Sequence, residues 1–308
     1  MGFAFTHKGE PPYTLGLKRG LLSVAERLDF SIVIPTYGRP DQLAACLESL
    51  EALDYPRDRF EVIVVDDGSP QPLPPYKGPL TMTLLRQEHA GPAAARNTGA
   101  AAGRGRWLAF TDDDCRPAAD WLSKLAERMA QAPKHMVGGL TVNALTDNPC
   151  ATASQLLVHY IYEYYNRDPE HARFFTSNNM AVPAELFHRI GGFDARMTRA
   201  AGEDRDLCAR WLEQGYGLFY EPAAVVYHAH DLTLRKLWRQ HFQYGRAAFY
   251  FHRQRARRVE LEPPAFYLRL LRYPFSRGRG FAALGLAMLL GLSQVANAAG
   301  YYSKRIGF

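Results

Sequence analysis

Cysteine pairs and the common phosphate-binding loop are both missing from this chain of 308 residues. Its four cysteines, Cys46, Cys115, Cys150 and Cys208, lie far apart, without a Cys-x-x-Cys pair or a Cys/His zinc spacing. A disulfide scaffold is therefore excluded, and a reduced, cytosolic environment fits best. The first twenty residues contain prolines and polar residues where a signal peptide needs an unbroken apolar core, so we expect no export. The absence of Gly-x4-Gly-Lys-Ser/Thr excludes a P-loop enzyme.

Negative charge is scarce in the last eighty residues. From Ala229 onward there are 14 Lys and Arg but 3 Asp and Glu, whereas the first 228 residues carry 23 basic and 28 acidic side chains. The formal charge of +6 therefore combines a body of −5 with a tail of +11. The composition is that of a globular protein, so the split indicates a separate role for the tail, such as contact with anionic lipid or nucleic acid.

Apolar runs and helical periodicity alternate over the first half of the chain. The pattern predicts strands at 30–35, 60–65, 81–86 and 106–110, and helices at 39–53, 90–103 and 121–131. This alternation predicts an α/β fold with a mostly parallel sheet that helices cover on both faces. Beyond residue 137 it loosens into strands near 139–145, 216–220 and 224–227 and helices near 153–165 and 202–214.

Polar clusters follow three of these strands where each one ends. They are Pro35-Thr-Tyr37, Asp66-Asp67 and Asp112-Asp113-Asp114. Ligands bind beyond the carboxyl ends of strands in such sheets, so this placement indicates function. Adjacent carboxylates repel one another unless a cation or solvent offsets their charge, and hard oxygen ligands suit Mg²⁺ or Mn²⁺. A β-turn at Asp66-Asp67-Gly-Ser and a solvated loop at the triple Asp remain open as plain alternatives.

A helix opening near residue 92 carries a second polar feature. We expect Arg96 and Asn97 to face the same crevice, where an Arg would suit phosphate or carboxylate recognition. An ordinary surface Arg is the alternative.

Seven motifs occur in a fixed order and spacing over about residues 30–230. They are SIVIPTYGRP (31–40), VVDDGS (64–69), GPAAARNTG (91–99), LAFTDDDCRP (108–117), NMAVP (179–183), GGFD (191–194) and GEDRDL (202–207). Each is modest alone, but the ordered set is specific and resembles glycosyltransferase family 2, enzymes of the GT-A fold that use nucleotide-sugar donors.

The resemblance implies an organisation in three parts. Residues 1–29 would be an extension, and 30–230 a Rossmann-like GT-A catalytic domain with a mostly parallel central sheet flanked by helices. Within it, 30–117 would bind the nucleotide and 118–230 the acceptor. Residues 231–308 would form a basic and apolar helical region that associates with a membrane.

The resemblance also assigns a donor site for a UDP-, GDP- or dTDP-sugar. Asp66 would hydrogen-bond the base, Asp112 would lie near the ribose, and Arg96 would face the donor. The full set expected to bind the nucleotide-sugar is Pro35, Thr36, Tyr37, Arg39, Asp66, Asp67, Arg96, Asp112 and Asp113.

A divalent cation, Mn²⁺ or Mg²⁺, is implied on the donor diphosphate. Asp114 would hold it together with Asp112, and in many relatives a His after the last sheet strand completes the site. His228 is the expected ligand in this chain, with His230 as its rival.

The pair Glu203-Asp204 matches the acidic pair that the family places at the mouth of its acceptor site. Members invert the anomeric configuration by direct displacement, which needs a carboxylate to take the proton from the incoming hydroxyl. We expect Asp204 to be that base, Glu203 to position the acceptor, and Asp206 to be structural. Without the resemblance, acidic residues at the start of a helix would be interpreted as capping residues that also complement the helix dipole.

The tail contains two apolar segments. Residues 280–303 carry no charge and lie between basic residues. At 1.5 Å per residue they could cross a bilayer core of about 30 Å. Ser293, Gln294 and Asn297 leave a membrane-lying helix or a buried hairpin open. Residues 264–276 predict an interfacial amphipathic helix, so we expect contact with an anionic membrane surface.

Together these features predict an inverting, metal-dependent glycosyltransferase at the cytoplasmic face of the cell membrane. Its acceptor would be a glycan or a lipid-linked molecule of the cell envelope. Two alternatives are a sugar nucleotidyltransferase, whose Gly-rich loop is missing here, and a nucleic-acid-binding protein that uses the basic helix 235–258. The apolar run after that helix makes nucleic acid the weaker partner.

Overall fold

An eight-stranded mixed sheet forms the centre of the computed structural model, which describes residues 28–197, 202–254, 262–278 and 280–305. Most of the predicted extension 1–29 lies outside these residues. The strands are β1 Phe30–Thr36, β2 Phe60–Asp66, β3 Met82–Arg86, β4 Trp107–Phe110, β5 Cys115–Pro117, β6 Met136–Asn143, β7 Met180–Pro183 and β8 Leu218–His228. The helices are α1 Pro40–Glu51, α2 Pro92–Ala102, α3 Trp121–Gln131, α4 Pro149–Tyr165, α5 Ala184–Arg189, α6 Glu203–Glu213, α7 Leu234–Gln254, α8 Pro264–Arg277 and α9 Phe281–Arg305.

The strand order is β3-β2-β1-β4-β7-β6-β8-β5. The first four strands in this order pair in parallel, as predicted, and β6 pairs in parallel with β8. The second half also contains antiparallel pairs, because β7 lies between β4 and β6 and β5 pairs with β8. The sequence patterns did not predict β5 or β7, which are only three and four residues long.

The two short strands predicted at 216–220 and 224–227 are one strand, β8. Its pairing with β6 is irregular between Gly139 and Leu140, where the partner on β8 changes from Glu221 to Val225. Pro222 lies in this stretch, and proline within a sheet is confined to edges and bulges because it lacks an N–H group. The irregularity therefore explains the break in the apolar pattern.

Helices cover both faces of the sheet. All residues of β1 and β2 are buried, and alternate side chains of β1 point to opposite faces. Ile32 and Ile34 belong to the core that includes residues of α1 and α3, whereas Val33 packs in the core that includes residues of α2 and α6. The sheet is thus a central layer whose carboxyl edge stays free for a site.

Helices α7 and α8 each pack on α9, and all three pack on α4. A Cβ atom at Gly300 would lie 1.9 Å from the Phe242 carbonyl oxygen, so α7 and α9 are in backbone contact there. On α4, the Tyr160 hydroxyl donates to the Phe266 carbonyl of α8 at 2.8 Å. The predicted basic helix 235–258 is described as part of α7 up to Gln254, and the rest of it lies outside the described residues.

Among the described residues, α9 is the one helix long and apolar enough to cross a membrane, with a mean hydropathy of 1.6 over its most apolar stretch. One stripe of α9, which includes Leu290 and Ala296, is buried against the rest of the protein. Other side chains are open to solvent, among them Phe281, 93% exposed, and Met288, 69% exposed. The helix is therefore packed on one side and apolar on the other.

Candidate active site

The ends of β1 and β4 bring a carboxylate cluster together. Asp113 is fully buried and accepts a hydrogen bond from the Thr36 hydroxyl at 2.7 Å. Arg39, which precedes α1, forms ion pairs with Asp113 at 2.7 Å and with Asp114 at 2.9 Å. Burial raises the pKa of Asp113 to about 7, because desolvation outweighs the charge of Arg39.

Asp114 also faces His228, the last residue of β8. The antiparallel pairing of β5 with β8 sets Cys115 opposite His228, and the Ala229 amide donates to the Asp114 carbonyl oxygen at 2.8 Å. As a result, His228 Nε2 lies 3.3 Å from an Asp114 carboxylate oxygen. Burial opposes ionisation of Asp114, but the hydrogen bond and charge of His228 lower the pKa of Asp114 well below its usual range.

The two histidines of this region differ in their electrostatics. Burial favours the neutral form of His228, but its contact with Asp114 raises the pKa of His228. The His230 ring lies 5.1 Å from that of His228, and burial together with the His228 charge lowers the pKa of His230 to about 4. Asp114, Cys115 and His228 have potential ligand atoms within 4.8 Å of one another. His228 is thus the histidine that contacts Asp114.

The acidic pair Glu203-Asp204 opens α6. Gly202 precedes the helix in the left-handed conformation, with φ of +88°, which suits a residue without Cβ. Glu203 is buried and Asp204 partly exposed. Burial raises the pKa of Asp204, and the neighbouring Glu203 charge raises it further. A carboxylate in such surroundings is a stronger proton acceptor than one in water.

Arg96 links this pair to the triple Asp. Its side chain is buried and donates to Asp112 at 2.6 Å and to Glu203 at 3.0 Å. Its neighbour Asn97 donates to the Phe193 carbonyl and accepts from the Phe193 amide, and so holds the Gly191–Asp194 turn. The prediction that Asn97 faces the same crevice is wrong, because successive helical side chains point about 100° apart.

One cavity of about 510 Å³ is lined by residues of both acidic clusters, the triple Asp and the pair Glu203-Asp204. We call the part lined by the charged and ionisable residues the charged end; these are Arg39, Arg96, Asp112, Asp114, Glu203, Asp204, Arg205, His228 and His230. The helical end is lined by residues of α4, α7 and α9. The α7 residues there are Gln240, His241, Tyr244, Ala247, Ala248 and Phe251. The sequence analysis did not predict this face, because spacings of three and four from Gln240 mark one side of a helix but do not show which side meets a cavity.

The other predicted donor residues lie at the ends of β1 and β2. Pro35 and Thr36 end β1, and Tyr37 follows, half exposed, with its ring 4.4 Å from that of His89. The Asp66 carboxylate accepts from the Ser69 amide and from Arg86. The Asp67 carboxylate accepts from the Ala90 and Gly91 amides and from Gln87. These two aspartates thus order the loops after β2 and β3.

The chain has clear relatives. The sequence model of glycosyl transferase family 2 matches residues 31–191. The pre-mycofactocin glycosyltransferase of Mycobacterium tuberculosis strain H37Rv is 33% identical over 231 residues, which are 71% of this chain and 47% of that protein. The chain therefore spans about half the length of that curated relative.

Two solved structures share the fold. One is the mannosyltransferase PcManGT from Pyrobaculum calidifontis in complex with GDP-Man and Mn²⁺, with a TM-score of 0.57, 22% identity and coverage of 91% of this chain and 80% of that one. The other is S. aureus TarS 1-349 in complex with UDP-GlcNAc, with a TM-score of 0.53, 16% identity and coverage of 91% and 92%. Residues 31–191 contain the strands up to β7, but α6, α7 and α9 lie beyond them.

Proposed function

The chain belongs to glycosyltransferase family 2 and has its GT-A fold, and from this premise we propose that it is an inverting, metal-dependent glycosyltransferase. It transfers a sugar from a nucleotide-diphosphate-sugar to a hydroxyl of its acceptor. The observation that carries the proposal is the single cavity that contains both the Asp114–His228 pair and Asp204, with Arg96 bridging the two sides.

The cation site in this proposal consists of Asp112, Asp114 and His228. Two carboxylates and an imidazole are a donor set that Mn²⁺ accepts. Arg39 forms ion pairs with Asp113 and Asp114 beside this site and so offsets part of their negative charge. When bound, a divalent cation stabilises the negative charge of the leaving diphosphate. The mannosyltransferase with the same fold is in complex with Mn²⁺ and GDP-Man, which supports this assignment.

Asp204 is the general base of the proposal. It takes the proton of the acceptor hydroxyl while that oxygen attacks the anomeric carbon and the bond from that carbon to the diphosphate oxygen breaks on the opposite face. Its raised pKa suits this role, since a base works best when its pKa approaches the operating pH. Glu203, fixed by Arg96, positions the acceptor beside it.

The remaining predicted donor residues complete the nucleotide site. Pro35, Thr36 and Tyr37 form walls of the nucleotide pocket. Asp66 and Asp67 lie beside the nucleobase, and Asp113 holds Arg39 through their ion pair. Their position at the carboxyl ends of β1, β2 and β4 supports this, because ligands of such sheets bind there.

We place the enzyme at the cytoplasmic face of the membrane, acting on a glycan or a lipid-linked acceptor. The exposed apolar side chains of α8 and α9 include Leu268, Phe275 and Phe281, and α8 also carries Arg269, Arg272 and Arg277. Basic residues beside an apolar surface favour anionic lipid. Flotation of the full chain with vesicles that contain phosphatidylglycerol tests this, and equal flotation with neutral vesicles would contradict the charge contribution.

The direct test of activity is release of nucleotide from UDP-, GDP- and dTDP-sugars in the presence of Mn²⁺. One donor should be consumed, and a chelator should stop the reaction. Asp114→Asn should abolish it, whereas Asp168→Asn, a matched change of an exposed carboxylate, should not. Full activity of the Asp114 variant, or no turnover of any donor, would contradict the proposal.

A further inference from the structure

The helical end of the cavity has no role in the proposed chemistry. Its helical end lies between α4 and α7, with one residue, Asn297, from α9. The α7 residues that line it follow one another at spacings of three and four, so they form one face of that helix. On α4 the residues Ala151, Gln155, Val158 and Ile161 do the same. Two helices therefore present a face to each other across open space.

His241 stands out on this face. Its side chain is 1% exposed, and neither ring nitrogen has a hydrogen-bond partner among the described residues. Gln240, next to it, donates to the Tyr244 hydroxyl but has no donor for its own carbonyl oxygen. Buried polar groups in folded proteins are almost always paired, so three unpaired atoms at one cavity wall indicate that a ligand supplies their partners.

The charge state of His241 defines the chemistry of that partner. Burial, together with the nearby His230, lowers the pKa of His241 to about 4, so the ring is neutral at pH 7. A neutral imidazole offers one donor and one acceptor, and the Gln240 carbonyl offers an acceptor. A hydroxyl group both donates and accepts, and therefore matches this set.

Most of the other residues at the helical end are apolar, and the polar ones, Ser154, Gln155, Tyr244 and Asn297, are uncharged. Val158, Ile161, Ala248 and Phe251 contribute to its walls. The residues of α4, α7 and α9 that line it include no Asp, Glu, Lys or Arg. An uncharged wall of this kind favours an uncharged apolar group over a free sugar or a charged chain.

The catalytic pair is adjacent to the same face. Ala247 packs on Gly202, where a Cβ would lie 3.3 Å from the Ala247 Cβ, and Gly202 directly precedes Glu203. The Arg205 guanidinium lies 5.3 Å from the centre of the Phe251 ring. A molecule held along α7 would therefore present its reacting hydroxyl beside Asp204.

We propose that the helical end binds the acceptor, and that this acceptor is an uncharged amphipathic molecule: a hydroxylated part bonded by His241 and Gln240, joined to an apolar part between Val158, Ile161 and Phe251. The statement that the bound molecule is the sugar acceptor rests on the proposed function. The statement that the helical end binds an amphipathic molecule does not rest on it. Of the two helices that form most of this end, α4 lies within the residues that the family model matches and α7 lies beyond them.

Calorimetric titration of the full chain with alkyl glucosides below their micelle concentrations tests the site. Octyl β-glucoside should bind at least tenfold more tightly than methyl β-glucoside, which lacks the apolar part. His241→Phe should weaken octyl glucoside binding at least fivefold, and Val158→Trp, which fills the apolar space, should do the same. Tyr250→Ala changes an exposed residue on the same helix and should leave binding unaltered.

Thermal unfolding midpoints of all variants establish that each one folds. Equal binding of the two glucosides, or unaltered octyl glucoside binding by both the His241 and the Val158 variants, would overturn the inference, since detergent would then bind on the outer apolar faces. Nucleotide release by the unmodified protein is measured separately. If no donor is consumed but the binding pattern holds, the proposed function fails while the amphipathic site stands.

Discussion

The two ends of the cavity are built from opposite kinds of residue. At the charged end, Asp112, Asp114 and Glu203 pair with Arg96, Arg39 or His228. At the helical end, the lining side chains are uncharged, and those of Gln240 and His241 have unpaired atoms among the described residues. The groups of the charged end are therefore already paired within the protein, whereas at the helical end we propose that a ligand supplies the missing partners.

The largest effect should follow a change at the charged end that leaves its shape intact. Asp204→Asn removes the proton acceptor but conserves size, so transfer should fall by about 10²–10⁴-fold. Binding of the nucleotide-sugar, measured by titration calorimetry, should persist. Asp231→Asn, at an exposed ion pair with Lys236, is the matched control. Full transfer by the Asp204 variant would remove this residue from the mechanism.

The next effect concerns Arg96, the buried side chain that bridges Asp112 and Glu203. Arg96→Met leaves Glu203 buried without its partner, and breaking a buried ion pair typically costs about 3–5 kcal/mol. Denaturant unfolding should show a loss of that order. Arg189→Met breaks an exposed pair with Glu185 and should cost under about 1 kcal/mol. Equal losses in the two variants would mean that the bridge is not structurally important.

A smaller effect tests how tightly the helical end is held. Gly300→Ala would force α9 away from the Phe242 carbonyl of α7, and overpacking of this kind costs about 1–3 kcal/mol. Gly285→Ala on the same helix meets no atom within 4 Å and should stabilise the protein by about 0.5–1 kcal/mol. Thermal unfolding measures both. A destabilising Gly285 variant would contradict the exposed position of that side of α9.

The smallest predicted effect is the dependence of transfer on pH. Burial and the Glu203 charge raise the pKa of Asp204, and a general base must be deprotonated. Transfer should therefore fall about tenfold per pH unit below that raised pKa and level off above it. The pH profile of transfer, measured with saturating donor, should have its acidic midpoint above the ordinary carboxyl value of about 4. The residual activity of Asp204→Asn should lack this midpoint.

The sequence predicted the elements well where local patterns are strong. The buried runs of β1 and β2, the helix α1 and the long C-terminal helices lie close to the predicted bounds. Prediction failed for β5 and β7, because three or four residues do not form a detectable period. It also failed for Asn97, because its side chain points about 100° around the helix from that of Arg96 and contacts Phe193 instead of the crevice.

Within the site, sequence reasoning named the residues but not their relations. Asp114 and His228 are 114 positions apart, and only the antiparallel pairing of β5 with β8 brings them together. Arg96 was expected to face the donor, whereas its side chain also holds Glu203. The α7 face around His241 was not predicted, because a His among aromatic and basic residues carries no sign of which side meets a cavity.

By itself, then, the sequence determined the family, most of the longer strands and helices, and the carboxylates available for chemistry, since periodicity and short motifs are properties of neighbouring residues. The tertiary structure decided which histidine meets Asp114, how Arg96 joins both sides of the site, and that α4 and α7 enclose an uncharged space beside Asp204. Those relations depend on distances between residues far apart in the chain, which only the packed sheet and helices define.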